Sequence, residues 1–240
     1  MKLIKPSFTI LNHLEYPMML RLVCRACCSC YRREIPSVWK EQEQEIHARI
    51  KAGHESVIEH VGFSVQLTVD RGLTHELVRH RLASFTQESS RYCNYSKDKF
   101  DGQLTYIMPA EMSAIIPEGQ YNGLEANGQT GSIVLKSADP SKDVFIDQGA
   151  IVNMLGALLD CESAYLLAIE QGMAPEIARA ILPNATAASI VISANMREWR
   201  HIFSLRALGK TGRPHPQMIE IMTPLLEAAM LRFPVFFQDL

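Results

Sequence analysis

The clearest pattern of apolar and polar positions lies between Val61 and Asp70, where the two kinds of residue alternate strictly. The apolar positions are Val61, Phe63, Val65, Leu67 and Val69. A period of two residues is typical of a strand that buries one face, and such strands pair most often in antiparallel sheets. The alternation therefore predicts a half-buried strand over 61–70.

The other segments show helical and extended patterns in turn. Helices are predicted over 18–33, 38–53, 73–82, 146–171, 174–182, 195–206 and 214–231, strands over 103–109 and 186–193, and a turn at Arg71 and Gly72. Gly, Asn, Ser and Asp are frequent at about 111–147, which predicts a surface excursion. Together these elements predict an α+β fold, with an antiparallel sheet core flanked by helices in a single domain over 1–240.

Composition narrows the classes of function. A chain of 240 residues with 47% hydrophobic and 21% charged residues has the length and balance of a globular protein with a sizeable core. Its net charge of −2 would not attract a polyanion, so no nucleic-acid partner is predicted. No apolar run reaches the roughly 18 residues that span a bilayer, and the first residues do not resemble a signal peptide. We therefore expect a cytoplasmic protein that does not bind membranes.

Four of the six cysteines crowd into one predicted helix. They are Cys24, Cys27, Cys28 and Cys30. Thiolates bind zinc and iron–sulfur clusters, so one hypothesis is a thiol-metal binding protein. The other is that these cysteines serve as small apolar residues on a buried helix face, because no second pair of ligands follows at a suitable spacing. We favour the second hypothesis and predict no metal site.

The segment from Val69 to Tyr95 concentrates positive charge in a weakly acidic chain. It contains Arg71, Arg79, Arg81 and Arg91, together with the hydroxyl and amide side chains of Ser84, Thr86, Gln87, Ser89 and Ser90. Guanidinium, hydroxyl and amide groups are the donors that a phosphate and a uracil-like ring require. The segment therefore predicts a site for a small anion.

Three further groups have less distinct patterns. GHESVIEH, residues 53–60, is either a loop that turns a histidine and a hydroxyl toward a ligand or a solvated helix cap. Arg179 lies in an apolar run, and Arg197, His201 and Arg206 share one broad face of a predicted helix. Neither GxGxxG nor GxxxxGK occurs, so the common dinucleotide and nucleotide-triphosphate folds are not supported.

RHRLASFTQESSRY, residues 79–92, resembles the motif of the flavin-dependent thymidylate synthases, in which Arg-His-Arg is followed by a serine and then by Arg-Tyr. Here the serine is Ser89 and the final pair is Arg91 and Tyr92. The other elements that resemble this family are GHESVIEH at 53–60, Ala-Arg-x-x-Leu-Pro at 178–183, and Asn-x-Arg with a later His and Arg-Ala at 195–207. The four elements stand in the family's order and cover about two thirds of the chain.

The resemblance implies a homotetrameric α/β enzyme that binds FAD between subunits and converts dUMP to dTMP. It also implies 5,10-methylenetetrahydrofolate as carbon donor and NADPH as reductant through FAD. By similarity, the residues that contact FAD are His54, Ser56, Glu59, Arg79, His80, Arg81, Gln87, Asn195, Arg197 and His201. Those that bind dUMP are Glu76, Leu77, Val78, Arg79, Gln87, Glu88, Ser89, Ser90, Arg91, Arg179 and Arg206.

Charge and hydrogen-bonding chemistry assign roles within that set. Arg91 and Arg179 suit the phosphate dianion, because a guanidinium can bind it with two parallel hydrogen bonds. Arg206 is the catalytic candidate, since a guanidinium beside N3 of uracil favours the electron-rich ring that attacks the carbon donor. Glu76 stands where the family often has glutamine, and it either points away from the substrate or pairs with an arginine. An RNA-binding module built on the same arginines would lack an aromatic platform for bases.

Overall fold

The structure, a computed structural model, describes residues 1–126 and 133–240. Its helices are α1 (Tyr16–Ser29), α2 (Trp39–Lys51), α3 (Arg71–Leu77), α4 (Ala110–Ser113), α5 (Gly149–Glu170), α6 (Pro175–Ala178), α7 (Met196–Arg206), α8 (Pro216–Arg232) and α9 (Pro234–Phe237). Its strands are β1 (Lys2–Ile4), β2 (Ser7–His13), β3 (Gly62–Asp70), β4 (Ser84–Gln87), β5 (Thr105–Ile107), β6 (Gly119–Ala126), β7 (Ile133–Ser137), β8 (Val144–Ile146) and β9 (Ala187–Asn195). Among the 3₁₀ helices are Glu55–His60 and Arg179–Ile181.

The chain forms two compact units. Unit 1 comprises Met1–Pro6, Thr68–His75 and Gln87–Ser189, and unit 2 comprises Ser7–Leu67, Glu76–Thr86 and Ile190–Leu240. The predicted α+β class is confirmed, because sheets and helices both contribute and most strand pairs with a defined direction are antiparallel. The single domain over 1–240 stays a prediction.

Unit 1 is built on a five-stranded sheet in the order β5-β1-β6-β7-β8. The β1–β5 pair is parallel and the other pairs are antiparallel. Its core contains large side chains that are fully buried, among them Leu3, Tyr106, Tyr121, Leu135, Leu155 and Tyr165. The hydroxyl of Tyr106 donates to the carbonyl of Leu158 at 2.9 Å, which ties β5 to α5.

Residues 111–147 differ from the predicted surface excursion. Their described part supplies β6, β7 and β8, and the side chains of Tyr121, Leu135 and Ile146 are buried. The register of β6 shifts between Tyr121 and Gly123. Asn122 and Gly123 therefore mark an irregularity inside a strand rather than a loop. Residues 127–132 of the predicted excursion lie outside the described residues.

The predicted half-buried strand is confirmed as β3, which lies in a four-stranded sheet of order β2-β3-β9-β4. In unit 2, the side chains of Phe63, Val65 and Leu67 are buried. The ring of Phe63 stacks on that of Trp199 from α7, with centroids 4.6 Å apart. Trp199 Nε1 also donates to the carbonyl of Phe63 at 3.0 Å, so α7 is fixed directly against β3.

The helix predicted over 73–82 begins and ends earlier than expected. Its backbone is helical from Arg71 because the carboxylate of Asp70 accepts a hydrogen bond from the Leu73 amide at 2.8 Å, as an N-cap does. It ends at Leu77, so Arg79 and its two neighbours lie in a turn beyond α3. The predicted turn at Arg71 and the helical placement of Arg79 were therefore wrong.

The helix α5 is the long apolar helix of unit 1. With 22 residues it is long and apolar enough to cross a membrane by length and composition alone, the one such helix among the described residues. One such helix is weak evidence for a membrane span, and 22% of its apolar window is buried, with Leu155, Leu158 and Tyr165 among the buried residues of α5. Its buried Glu162 accepts a hydrogen bond from the Leu104 amide at 2.7 Å. The absence of a membrane partner stays a prediction.

Candidate active site

A cleft of about 930 Å³ in unit 2 brings together many of the predicted site residues. These are Glu59, Arg79, His80, Arg81, Asn195, Arg197, His201 and Arg206. The cleft is also lined by Glu55, Glu198, Arg200 and Lys210, which were not among the predicted site residues. Arginine and lysine outnumber glutamate in this lining, so the cleft suits an anionic ligand.

One close backbone approach places the start of α7 at the cleft. A Cβ atom on Gly62 would lie 2.3 Å from the carbonyl oxygen of Ala194, so only glycine allows β3 to begin against the end of β9. Asn195 follows directly and caps α7, as predicted, because its side chain accepts from the Glu198 amide at 2.9 Å. Since Trp199 is buried on one side of α7, His201 faces the cleft on the other.

Arg206 is held in one orientation by three hydrogen bonds. Its Nη1 donates to Glu76 Oε2 at 2.8 Å, its Nη2 donates to the Glu76 carbonyl at 3.0 Å, and its Nε donates to His80 Nε2 at 3.1 Å. Glu76 therefore pairs with an arginine, one of the two alternatives that its charge left open. Since a guanidinium has five N–H groups, two of those on Arg206 remain for a ligand.

His80 is a neutral imidazole at neutral pH. It is 5% exposed, and burial, with the charge of Arg206 and the ring of His201, lowers the pKa of His80 to about 4. Glu198 is also buried, and this burial raises the pKa of its carboxyl group. The site therefore contains a buried imidazole that accepts a hydrogen bond from Arg206 and does not carry charge.

Two arginines on α7 connect the cleft to neighbouring segments of unit 2. Arg197 is exposed and its Nη1 donates to Glu59 Oε1 at 2.5 Å. Arg200 is buried, and it donates to both carboxylate oxygens of Asp239, at 2.6 and 2.7 Å, and to Glu55 at 3.1 Å. These contacts fix the 3₁₀ helix that carries Glu55 against α7.

Unit 1 assembles a second group of predicted residues, which we call the Ser90–Arg179 group: Ser89, Ser90, Arg91 and Arg179. Arg179 Nη1 donates to Ser90 Oγ at 3.4 Å, and Arg179 Nε donates to the Glu176 carbonyl at 3.2 Å. Arg91 lies near the same glutamate, with its Nε 3.7 Å from Glu176 Oε2. Both guanidinium groups are largely exposed, so they can receive an anion.

The remaining predicted residues lie in varied surroundings. His54 and Ser56 are exposed on the segment that carries Glu59, but they do not line the cleft of unit 2. Leu77 is buried, and the side chain of Val78 is exposed. Gln87 and Glu88 belong to unit 1, where Glu88 Oε1 accepts from the Tyr95 hydroxyl at 2.8 Å.

The cysteine cluster does not support the thiol-metal hypothesis. Cys24, Cys27 and Cys28 are buried on the inner face of α1. Burial raises the pKa of Cys24 to about 12 and that of Cys27 to about 11, so both are thiols rather than metal-binding thiolates at neutral pH. The interpretation as small apolar side chains on a buried helix face is confirmed for these three residues. It was wrong for Cys30, which is exposed and follows the last residue of α1.

Comparison with known proteins gives consistent matches. The model of the thymidylate synthase complementing protein family, Thy1, matches residues 10–235. A flavin-dependent thymidylate synthase of Mycobacterium avium is 30% identical over 192 residues, which cover 80% of this chain and 67% of that protein. Another, from Corynebacterium aurimucosum, is 27% identical over 226 residues, covering 94% and 80%.

A solved structure supports the fold. The UMP/dUMP methylase PolB from Streptomyces cacaoi, bound with 5-Br dUMP, matches with a TM-score of 0.72 at 19% identity, over 99% of this chain and 96% of that one. The structural match extends over unit 1 and unit 2, including the strands of residues 111–147. Because the family model covers nearly the whole chain and the similar proteins are flavin-dependent thymidylate synthases, the chain belongs to that family.

Proposed function

We propose that this enzyme converts dUMP to dTMP by reductive methylation, with FAD as cofactor and 5,10-methylenetetrahydrofolate and NADPH as co-substrates. The observation that carries the proposal is the oriented guanidinium of Arg206 in a cationic cleft, in a chain of this family. FAD, when bound, supplies the hydride-transfer chemistry. The protein residues bind, orient and stabilise charge.

The cleft of unit 2 fits FAD in size and charge. Its volume of about 930 Å³ is within the usual range for cofactor sites, roughly 300 to 1,000 Å³. Arg79 and Arg81 are exposed, and within the described part of the chain no ion pair engages either side chain, so both can bind the pyrophosphate. By similarity, we assign to the same cofactor His54, Ser56, Glu59, His80, Gln87, Asn195, Arg197 and His201.

Arg206 is assigned the activation of the uracil ring. Its two remaining N–H groups can donate to N3 and the adjoining carbonyl oxygen, which stabilises the ionised ring and makes carbon 5 a better nucleophile. Its anchors on Glu76 and His80 are in place before substrate arrives, so little reorganisation accompanies the reaction. The family resemblance adds Leu77, Val78, Arg79, Gln87 and Glu88 to the dUMP-binding residues.

The Ser90–Arg179 group is assigned to the dUMP phosphate. Arg179→Ala is expected to raise the Kd of dUMP about 10- to 100-fold, because a hydrogen bond between charged partners is lost. Isothermal titration with dUMP measures the change, and deoxyuridine, which has no phosphate, should bind the variant and the wild type equally. Lys142→Ala removes another exposed cation of unit 1 and should leave dUMP affinity unchanged. Equal weakening of both ligands would contradict the phosphate assignment.

The visible spectrum of the purified protein tests the flavin requirement. We expect absorbance over roughly 350 to 500 nm, where oxidised flavins absorb, and a change in that spectrum when dUMP is added. Protein that is supplied with FAD, NADPH and methylenetetrahydrofolate should then form dTMP from dUMP. A colourless protein whose activity does not depend on added FAD would rule out the proposal.

A cytoplasmic homotetramer with FAD sites shared between subunits is part of the same proposal. The six cysteines are free thiols, as suits a reducing compartment. Large apolar side chains are exposed on α1 and at the start of α2, including Met18, Leu22 and Trp39. Such a surface is typical of contacts between subunits.

A further inference from the structure

His80 lies between two charged side chains in the cleft of unit 2. Its Nε2 is 3.1 Å from Arg206 Nε, and its Nδ1 is 3.5 Å from Glu198 Oε1. The His201 ring approaches edge-on, with centroids 5.5 Å apart. Both His80 and Glu198 are 5% exposed, so bulk water has little access to either ring nitrogen or to the carboxylate.

The contact with Arg206 shows which nitrogen of His80 carries the proton in this structure. A guanidinium N–H can only donate, so His80 Nε2 must offer its lone pair. The imidazole is neutral, because burial and the neighbouring Arg206 lower the pKa of His80 to about 4. Its single proton therefore lies on Nδ1, the nitrogen that faces Glu198.

The carboxylate of Glu198 contacts His80 rather than the backbone of its own helix. Asn195 caps α7 through the Glu198 amide, and a glutamate at this third helical position usually turns back to the backbone of the cap residue. Here its carboxylate lies beside His80 instead. A buried carboxylate close to an imidazole N–H is the arrangement that orients functional histidines in other proteins.

We propose that Glu198 is a positioning residue, which accepts the Nδ1 proton of His80 and thereby keeps Nε2 available to hold Arg206. The inference rests on the proposed role of Arg206 in activating the uracil ring. Without Glu198, a proton on Nδ1 is buried with no acceptor, which raises the free energy of the tautomer that Arg206 requires and shifts the proton toward Nε2, where it opposes the N–H of Arg206. Arg206 then loses one of its three anchors and its two free N–H groups lose their fixed direction.

A metal ion is the alternative occupant of this cluster. His80, Glu198 and His201 each offer a ligand atom, and these atoms lie within 4.8 Å of one another. A metal ion bound to Nε2 would lie next to the positively charged guanidinium of Arg206, which repels it. A metal ion bound to Nδ1 would move the proton to Nε2, where it would point at the N–H of the same guanidinium. The direction of the Arg206 hydrogen bond therefore favours the positioning role.

The test compares Glu198→Leu, which removes the acceptor, with Glu198→Gln, which keeps a carbonyl acceptor of similar shape. Nitrogen-15 NMR of histidine-labelled protein reports the protonated nitrogen, and loss of a signal in His80→Asn assigns His80. We expect the proton on Nδ1 in the wild type and in Glu198→Gln, and on Nε2 in Glu198→Leu.

In Glu198→Leu, kcat for dTMP formation should fall about 10- to 100-fold, with the KM for dUMP changed less than about twofold and FAD retained. Glu198→Ala replaces the leucine variant if that variant does not fold.

Two results would overturn the proposal. One is a wild-type tautomer or an unchanged kcat in Glu198→Leu, or in the alanine variant that replaces it. The other is an equal loss of kcat in Glu198→Gln, which would mean that the negative charge matters and not the acceptor. If the wild type forms no dTMP, the proposed function fails, and the NMR comparison still decides whether Glu198 sets the tautomer of His80.

Discussion

Replacement of Arg206 by alanine is expected to lower kcat for dTMP formation about 100- to 1,000-fold while FAD stays bound. Removal of one preorganised donor from an active site has an effect of this size, because the donor stabilises charge that develops in the transition state. The variant also leaves Glu76 without its guanidinium partner, next to the proposed substrate. The measurements are dTMP formation at saturating dUMP and the visible absorbance of the bound flavin.

Two further variants separate the role of Arg206 from general effects of charge. Arg213→Ala removes an exposed arginine a short distance along the chain and should leave kcat unchanged. Arg206→Lys keeps the charge, but the lysine ammonium lacks the planar set of N–H groups with which a guanidinium bonds both Glu76 and His80. The activity of this variant should therefore remain well below that of the wild type. Wild-type kcat in Arg206→Ala would remove this residue from the mechanism.

The sequence predicted the parts of the fold that depend on local pattern. The alternation over 61–70 identified β3, and Asn195 identified the start of α7, because both are encoded within a few neighbouring residues. The motif at Arg79 pointed to residues that the structure brings to the cleft, Arg79, His80 and Arg81, although their predicted helical backbone was wrong, since α3 ends at Leu77. The cap at Asp70 explains why α3 begins earlier than the pattern predicted.

The sequence could not predict contacts between distant positions. From the sequence, Glu76 could either point away from the substrate or pair with an arginine. The structure shows the pair, with Arg206 Nη1 at 2.8 Å from Glu76 Oε2. Likewise, a charged residue on a helix is expected at the surface, yet Glu198 and Arg200 are buried. Their partners lie far along the chain, so no periodicity indicates them. These buried charges are the part of the candidate site that sequence reasoning missed.

Arg200→Met is expected to lower the free energy of unfolding by about 3 kcal/mol, as loss of one partner from a buried ion pair does. The Arg200 side chain is 9% exposed and donates to both oxygens of Asp239, to the carbonyl of Phe236 at 2.6 Å, and to Glu55. Methionine fills similar volume but leaves these acceptors without their donor. Urea unfolding measured by the fluorescence of the neighbouring buried Trp199 gives the value.

Arg197→Met is the matched control, because Arg197 lies on the same helix and also approaches Glu55, at 3.8 Å. Its side chain is 51% exposed, so its loss should change the free energy of unfolding by less than about 1 kcal/mol. Equal effects of the two variants would contradict the importance of burial.

The hydrogen bonds from Arg200 lower the pKa of Asp239, so the pair stabilises the fold above a pH of about 4 and this contribution is lost as pH falls further. The difference between wild type and Arg200→Met should therefore shrink in acid, whereas a purely steric effect of methionine would not.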